Sequence, residues 1–370
     1  MGIFNKILAY FTQPTTLLKS LFSNDIAMPI TSPSDANELI RLLDNELAKI
    51  APSKQPLTSL EAEIVKQIQQ ETDKLNLNNI TRTNAYLDFF KRSPEVHWAF
   101  LAHLVSRNGG WNMTDLKGSM LHHILNEKQK EDLFMFLESA NASIFHDAYP
   151  QLRLYEESKN RGSNYFHLLP HFSVSSFMKV FWERFLAKQN SRLLTVALII
   201  NEQQYIQQNI VNRPYFQENV LDTLAFTLQE WLGFTNVLIP YKKRRKTHLA
   251  GMTIRDFENV DYRIEVGKRL YGILFYKRGV KKAAFRFAES TPHTGSRADY
   301  WPLLFSADNK EHAKIYSPLL TEVWPNVHHT YPKNRDWFRN MDVMKHLQEI
   351  PITNHFDITR EYDRKIRIIV

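Results

Sequence analysis

Apolar residues recur every three or four positions along most of this 370-residue chain, the period of one face of a helix. Leu39, Leu43, Leu47 and Ile50 mark one such face, and Ile64, Ile68 and Leu75 mark another. Thr58 with Glu61 reads as a capping box opening the second of these. Asn126 caps a helix running to about residue 139, with shorter pieces on either side of Pro150. The spacing predicts further helices over residues 173–188, 191–211, 214–234, 260–276, 280–287 and 336–348. Only residues 236–241 (NVLIPY) have a strand pattern: short, β-branched and interrupted by proline. The predicted fold class is mainly α, a compact multi-helix domain with at most a small β element.

One stretch departs from the amphipathic pattern. Val96, Trp98, Ala99, Phe100, Leu101, Ala102, Leu104 and Val105 surround a helix axis completely, and a helix apolar all round is a buried one. Ser93, Pro94 and Glu95 suit its start, and the pair Gly109 and Gly110 suits its end. Asn112 with Asp115 then resembles a cap for a following helix. Within this apolar segment stand His97, His103, Arg107, Asn108, Trp111, Asn112 and Asp115. A buried arginine needs a carboxylate, and Asp115 is the first candidate for Arg107. Residues 292–302 form a second crowded stretch, irregular in pattern, with His293, Ser296, Arg297 and Asp299 as candidate ligand-binding groups. One arrangement has the two stretches lining a ligand pocket. The other has their polar groups satisfying one another, with Arg297 pairing Asp299 inside its own loop.

The stretches HWAFLAHLVSRNGGWNMTDLKG (97–118) and PHTGSRADYWPLLF (292–305) resemble the YppC-like domain-of-unknown-function family of Bacillus and its relatives. The resemblance covers most of the chain after the N-terminal tail. It implies no catalytic residues and no reaction.

Composition narrows the classes. The chain has no cysteine, which removes disulfides, thiolate metal sites and cysteine nucleophiles and suits a reducing cytosol. Its 11 glycines are too few for a sheet-and-turn architecture. The longest apolar run, LLTVALII at 193–200, is far short of the roughly 20 residues that cross a bilayer. His167 and His171 lie four apart, but Pro170 intervenes, so no metal site is assigned. No nucleotide loop or nucleophile elbow is present, and the cofactor is unknown.

The net charge of +8 permits anionic partners without requiring them. Two features point that way. Phe4, Ile7 and Phe11 lie on an amphipathic stripe in an N-terminal tail and linker (1–30) that precedes a single helical domain (31–370), with a subdivision near 235 left open. Lys242, Lys243, Arg244, Arg245 and Lys246 form an unbroken cationic run that must be solvated. The candidate partners are an anionic membrane surface or a protein. Nucleic acid is disfavoured because only Tyr241 adjoins the run as a stacking aromatic. The expected place is the cytoplasm, peripheral to a membrane where the two features act together. Two functions stand: a non-catalytic scaffold or interaction protein, and an enzyme or small-ligand binder using the 97–115 and 292–302 motifs.

Overall fold

The computed structural model describes residues 26–49, 56–121, 124–223, 236–244, 246–254, 256–331 and 336–369. Phe4, Ile7, Phe11, Arg245 and residues 224–234 lie outside them. Helices dominate, as the periodicity predicts. Two are capped as the sequence indicates, α2 (Ser59–Leu75) by the Thr58–Glu61 box and α5 (Glu127–Arg161) by an Asn126–Gln129 box, while α1 (Pro33–Leu47) is capped by Ser32 inside the segment that reads as linker. Between α2 and α5 come α3 (Asn79–Arg92) and α4 (His97–Asp115). After α5 follow α6 (Ser176–Lys188) and α7 (Ser191–Ile206), which runs on through a π turn at Gln207–Val211. Later come α8 (Val260–Tyr276), capped by Asn259, then α9 (Val280–Ser290) and the C-terminal α10 (Thr359–Ile369).

Helix α4 is the axis of the molecule. It packs against α3, α5, α7 and α8. Nineteen residues at 1.5 Å each make it about 28 Å long, enough to pass through both apolar clusters. Trp98, Phe100 and Leu104 belong to one cluster, and Trp111 and Met113 to the other. That neighbourhood is why its pattern is apolar all round.

Several expectations need correction. Helix α4 starts at His97, after a turn at 93–96, and passes straight through Gly109 and Gly110 to Asp115. Neither glycine takes the positive φ of a helix end, and Asn79, Asn141 and His293 press on those two positions instead. Pro150 lies inside α5, which stays helical on both sides of it. Burial of Phe145, Tyr149, Leu152 and Leu154 outweighs the one hydrogen bond that proline removes. Residues 336–348 hold only a short 3-10 turn, Asp342–Leu347. Asp336 instead accepts hydrogen bonds from the Ser176 amide (2.8 Å) and from the Ser175 (2.6 Å) and Ser176 (2.7 Å) hydroxyls, closing the start of α6.

The β content is small and dispersed. The strand pattern at 236–241 is β2 (Asn236–Lys243), which pairs antiparallel with β3 (Lys246–Thr253). Residues 26–29, within a segment that reads as linker, form β1 (Ile26–Pro29), paired antiparallel with β6 (Glu349–Ile352). A two-residue parallel pair, β4 (Phe305–Ser306) with β5 (Ile315–Tyr316), follows the second motif.

Candidate functional site

The two polar motifs meet, and they meet in a closed core. Arg297 lies on a 3-10 turn (Arg297–Asp299) whose first amides are capped by Ser296. Its Nε donates to Asp115 Oδ1 at 2.8 Å and its Nη2 to Asp115 Oδ2 at 2.5 Å. Nη1 donates to the hydroxyls of Tyr300 (2.7 Å) and Tyr362 (2.6 Å), and Nη2 also reaches Asn112 Oδ1 (3.1 Å). A guanidinium has five N–H donors, so every one is used. Burial pulls the Arg297 pKa down, but the facing Asp115 charge and the two phenols outweigh it and hold the group firmly charged.

Arg107 sits one helical layer away on α4. It donates to the carbonyls of Thr291 (2.9 Å) and Pro292 (3.1 Å) and approaches Asp299 Oδ2 at 3.4 Å. Its guanidinium lies over the rings of Phe287 (4.9 Å) and Trp111 (5.7 Å). Burial lowers its pKa to about 10, which still leaves it charged at neutral pH. The expected Arg107–Asp115 pair is therefore wrong, and so is pairing of Arg297 with Asp299 inside the loop. The partners are exchanged between the motifs: Asp115 takes Arg297, and Asp299 takes Arg107. Residues 107 and 115 are eight apart on one helix, about 12 Å along the axis, too far for a direct bond between their charged ends.

Most polar atoms of the other members are occupied too, though among the described residues Arg107 Nε and His103 Nε2 are buried with no hydrogen-bond partner. Asp299 accepts from the Thr294 hydroxyl (2.6 Å), the Thr294 amide (3.1 Å) and Trp111 Nε1 (3.3 Å). His293 Nε2 meets Asn79 Oδ1 at 2.8 Å, and burial lowers its pKa to about 4. His103 Nδ1 donates to the Thr83 carbonyl at 2.8 Å, and burial keeps the ring neutral. His97 is stacked on Phe275 and bonded to the Tyr271 hydroxyl at 2.9 Å. Ser296 donates to the Ser317 carbonyl. Asn108 uses both ends of its amide on β2, donating to the Leu238 carbonyl and accepting from the Leu238 amide, each at 2.7 Å. Except for half-buried His97, Asn112 and Asp299, all of these candidates are buried. Two surface cavities of about 230 and 540 Å³ are walled by other residues, around Arg184 and Lys159 respectively.

What this arrangement does is mechanical. It ties the hairpin (through Asn108), the 291–299 loop (through Arg107 and Trp111) and α10 (through Arg297 and Tyr362) to one helix. Nothing in the sequence pattern marks Asn79 or Tyr362 as members, since each reads as a half-polar position on an ordinary helix; Tyr300 lies within the 292–302 stretch but is not among its candidate ligand-binding groups.

A second buried polar group was legible and unassigned. Asn201 follows directly on the apolar run 193–200, so it must itself be buried. It donates to Asp147 Oδ2 on α5 at 2.5 Å, and Gln151 donates to the same oxygen at 2.8 Å. Trp337 and Trp182 donate in turn to those two amides. Burial pushes the Asp147 carboxyl up to about 7. An acid whose pKa is raised on folding holds a proton in the folded chain that the unfolded chain releases. Its contribution is thus complete below the ordinary pKa of 3.8 and is lost as pH rises towards about 7. Asp147→Asn keeps an oxygen for both hydrogen bonds and removes the charge. It should stabilise the fold by about 1–2 kcal/mol above pH 7, less than the full charge term because the amide must also leave water. Near pH 4 the gain should vanish. Thermal midpoints measured across that range check this, and a variant whose pH profile parallels the wild type would refute it.

The cationic run occupies the tip of the β2–β3 hairpin. Lys242, Lys243, Arg244 and Lys246 are exposed, with Lys243 opposite Lys246 and Arg244 at φ 47° in the turn. Helix α9 packs against β2 and α10 against β3. The outward positions of α9 and the turn before it are Arg278, Lys282 and Arg286. Those of α10 include Arg360 and Arg364. Among the described residues, none of these nine cations makes an ion pair; Lys242 donates to the Ser290 hydroxyl at 2.6 Å. The nearby acids are largely engaged: Asp357 with Tyr241 and His248, Glu361 with Lys365, Asp363 with Arg367. Glu289 is exposed at the end of α9.

The sequence pattern of the family described as "Protein of unknown function (DUF2515)" matches residues 74–363. The chain is 38% identical over 305 residues to "Uncharacterized protein YppC" of Bacillus subtilis (strain 168), covering 82% of this chain and 92% of that protein. No solved structure matches it.

Proposed function

We propose that this chain, which belongs to the family described as protein of unknown function (DUF2515), is a non-catalytic interaction protein that docks on an anionic membrane surface through its basic hairpin. The observation that carries this reading is that, among the described residues, Lys242, Lys243, Arg244 and Lys246 and the outward cations of the two helices that flank the hairpin make no ion pair. Each lysine or arginine held near an anionic leaflet contributes about 1 kcal/mol, so a handful act as an anchor. No helix among the described residues is long and apolar enough to cross a membrane, so attachment would be peripheral. The non-catalytic part is supported by the motif residues, most of whose donors and acceptors are directed at one another, Arg107 Nε and His103 Nε2 excepted. Nucleic acid is the weaker match for the same cations, because Tyr241 is buried and bonded to Asp357 and offers no face to a base. In the sequence, the apolar residues Phe4, Ile7 and Phe11 would add the apolar second signal that a polybasic patch usually accompanies.

The test is cosedimentation with vesicles of phosphatidylglycerol and phosphatidylcholine in equal amounts, set against phosphatidylcholine alone. The chain should bind the first, and salt should weaken it. Lys243→Gln with Arg244→Gln should weaken binding about thirtyfold, the equivalent of about 2 kcal/mol. Equal binding to both vesicle types, or binding indifferent to the substitutions, would sink the reading.

A further inference from the structure

We infer that the turn Tyr300 to Leu304 is an apolar wedge that enters the headgroup layer beside the basic hairpin. The inference rests on the membrane reading above and adds to it the residue that inserts and the face of the molecule that meets the lipid. A single exposed leucine is ordinary on any protein surface. Leu303 differs in how it is presented. It is 93% exposed, the most open of the large apolar side chains on the described surface, and Pro302 beside it is exposed as well.

The residues on either side are anchored. Tyr300 is buried against Arg297 and Tyr362, and Phe305 is buried on β4. The amides of Leu304 (3.0 Å) and Phe305 (2.9 Å) both return to the Trp301 carbonyl, closing the turn with Pro302 and Leu303 at its tip. The tip is therefore held outward by the buried network behind it. Little ordering remains to be done when it binds, which is the advantage of a preformed contact.

Its position supplies the second half of the argument. Trp301, half-buried, donates from Nε1 to the carbonyl of Thr247 at 3.3 Å and packs on Tyr362 of α10. Thr247 is opposite Lys242, one rung from the Lys243–Lys246 pair. The wedge thus stands next to the cationic tip of the hairpin and against the helix that carries Arg360 and Arg364. A protruding leucine, an amphipathic tryptophan behind it and a cationic hairpin strand and helix joined through that tryptophan match a bilayer surface, where acyl chain, interface and phosphate follow in that order. A protein partner has no need of that layering.

The chain has no cysteine, so Leu303→Cys carries a polarity-sensitive fluorophore at one place only. On the full chain, emission should shift to the blue with vesicles of phosphatidylglycerol and phosphatidylcholine. The same label at Lys66→Cys, exposed on α2, should not shift. Leu303→Ser should weaken cosedimentation about tenfold and leave the thermal midpoint unchanged, because the side chain is already in water. If the wild type binds, and Lys243→Gln with Arg244→Gln weakens it while Leu303→Ser does not and the label stays unshifted, the wedge is overturned and the basic-face reading stands. A wild type that remains in the supernatant overturns both. A blue shift on raising protein concentration without vesicles would assign the tip to a second copy of the chain, and also overturns the wedge.

Discussion

Asp115→Ala is expected to lose about 3–5 kcal/mol of folding stability, the largest effect of any single substitution discussed for this chain. The loss comes less from the bond removed than from the charge left behind. Arg297 would keep its two tyrosine hydroxyls and Asn112, but its Nε and one Nη2 hydrogen would face an apolar gap. Arg297→Ala should cost a similar amount, since among the described residues Asp115 pairs with no other cation. Tyr300 and Tyr362 would be affected least, because their hydroxyls already lie 3.1 Å apart and can bond each other. The double variant Asp115→Ala with Arg297→Ala removes both charges at once, and should lose far less than the sum of the singles. Urea unfolding of the four proteins gives the coupling directly. Single variants within about 1 kcal/mol of wild type, or a strictly additive pair, would show that the ion pair is not structural.

The same pair shows where the sequence runs out. That Arg107 and Asp115 are buried charges needing partners follows from an apolar helix with charges set into it. Which charge meets which does not, because Asp115 and Arg297 are 182 residues apart and nothing local chooses between two arginines and two aspartates. The elements fixed by short-range rules were legible: the Thr58–Glu61 box, the Asn126 cap, and the strand ending in a solvated cationic run. Its partner β3 was not, because KTHLAGMT alternates weakly and carries a glycine. Pairing of β1 with β6 joins residues 26 and 352, and the proline-bearing composition of 24–34 conceals it. Pro150 misleads in the other direction. A lone proline reads as a break, whereas long-range packing on both sides holds α5 together. The basic hairpin was visible as a charge run, but the cations of α9 and α10 join it only through tertiary packing. Leu303 carries no local signal at all, since exposure is a property of the fold.

Gly110→Ala is the second large effect expected, a loss of about 2–4 kcal/mol, and its sign is the informative part. On propensity alone, alanine in place of a mid-helix glycine should gain about 1 kcal/mol. The space around Gly110 decides otherwise. A Cβ there would lie 2.5 Å from Asn79 Oδ1 and 2.6 Å from His293 Nε2, and those two atoms are hydrogen-bonded to each other at 2.8 Å. Neither can simply swing away. Asn79 is held by its Nδ2 to the Ser106 carbonyl at 2.9 Å, and His293 is wedged between Trp111 and Asp299. The methyl group must therefore either shift α4 away from α3 and the 293 loop or break a buried hydrogen bond, and each unsatisfied buried group costs about 1–3 kcal/mol. The glycine is there for close approach, not to end the helix. Asn79→Ala vacates the nearest obstacle, so Gly110→Ala should cost less in that background than in the wild type. Denaturant midpoints of the two singles and the double measure this. If Gly110→Ala alone is as stable as wild type or more so, helix propensity has won, and the contact between α3, α4 and the second motif is softer than these distances imply.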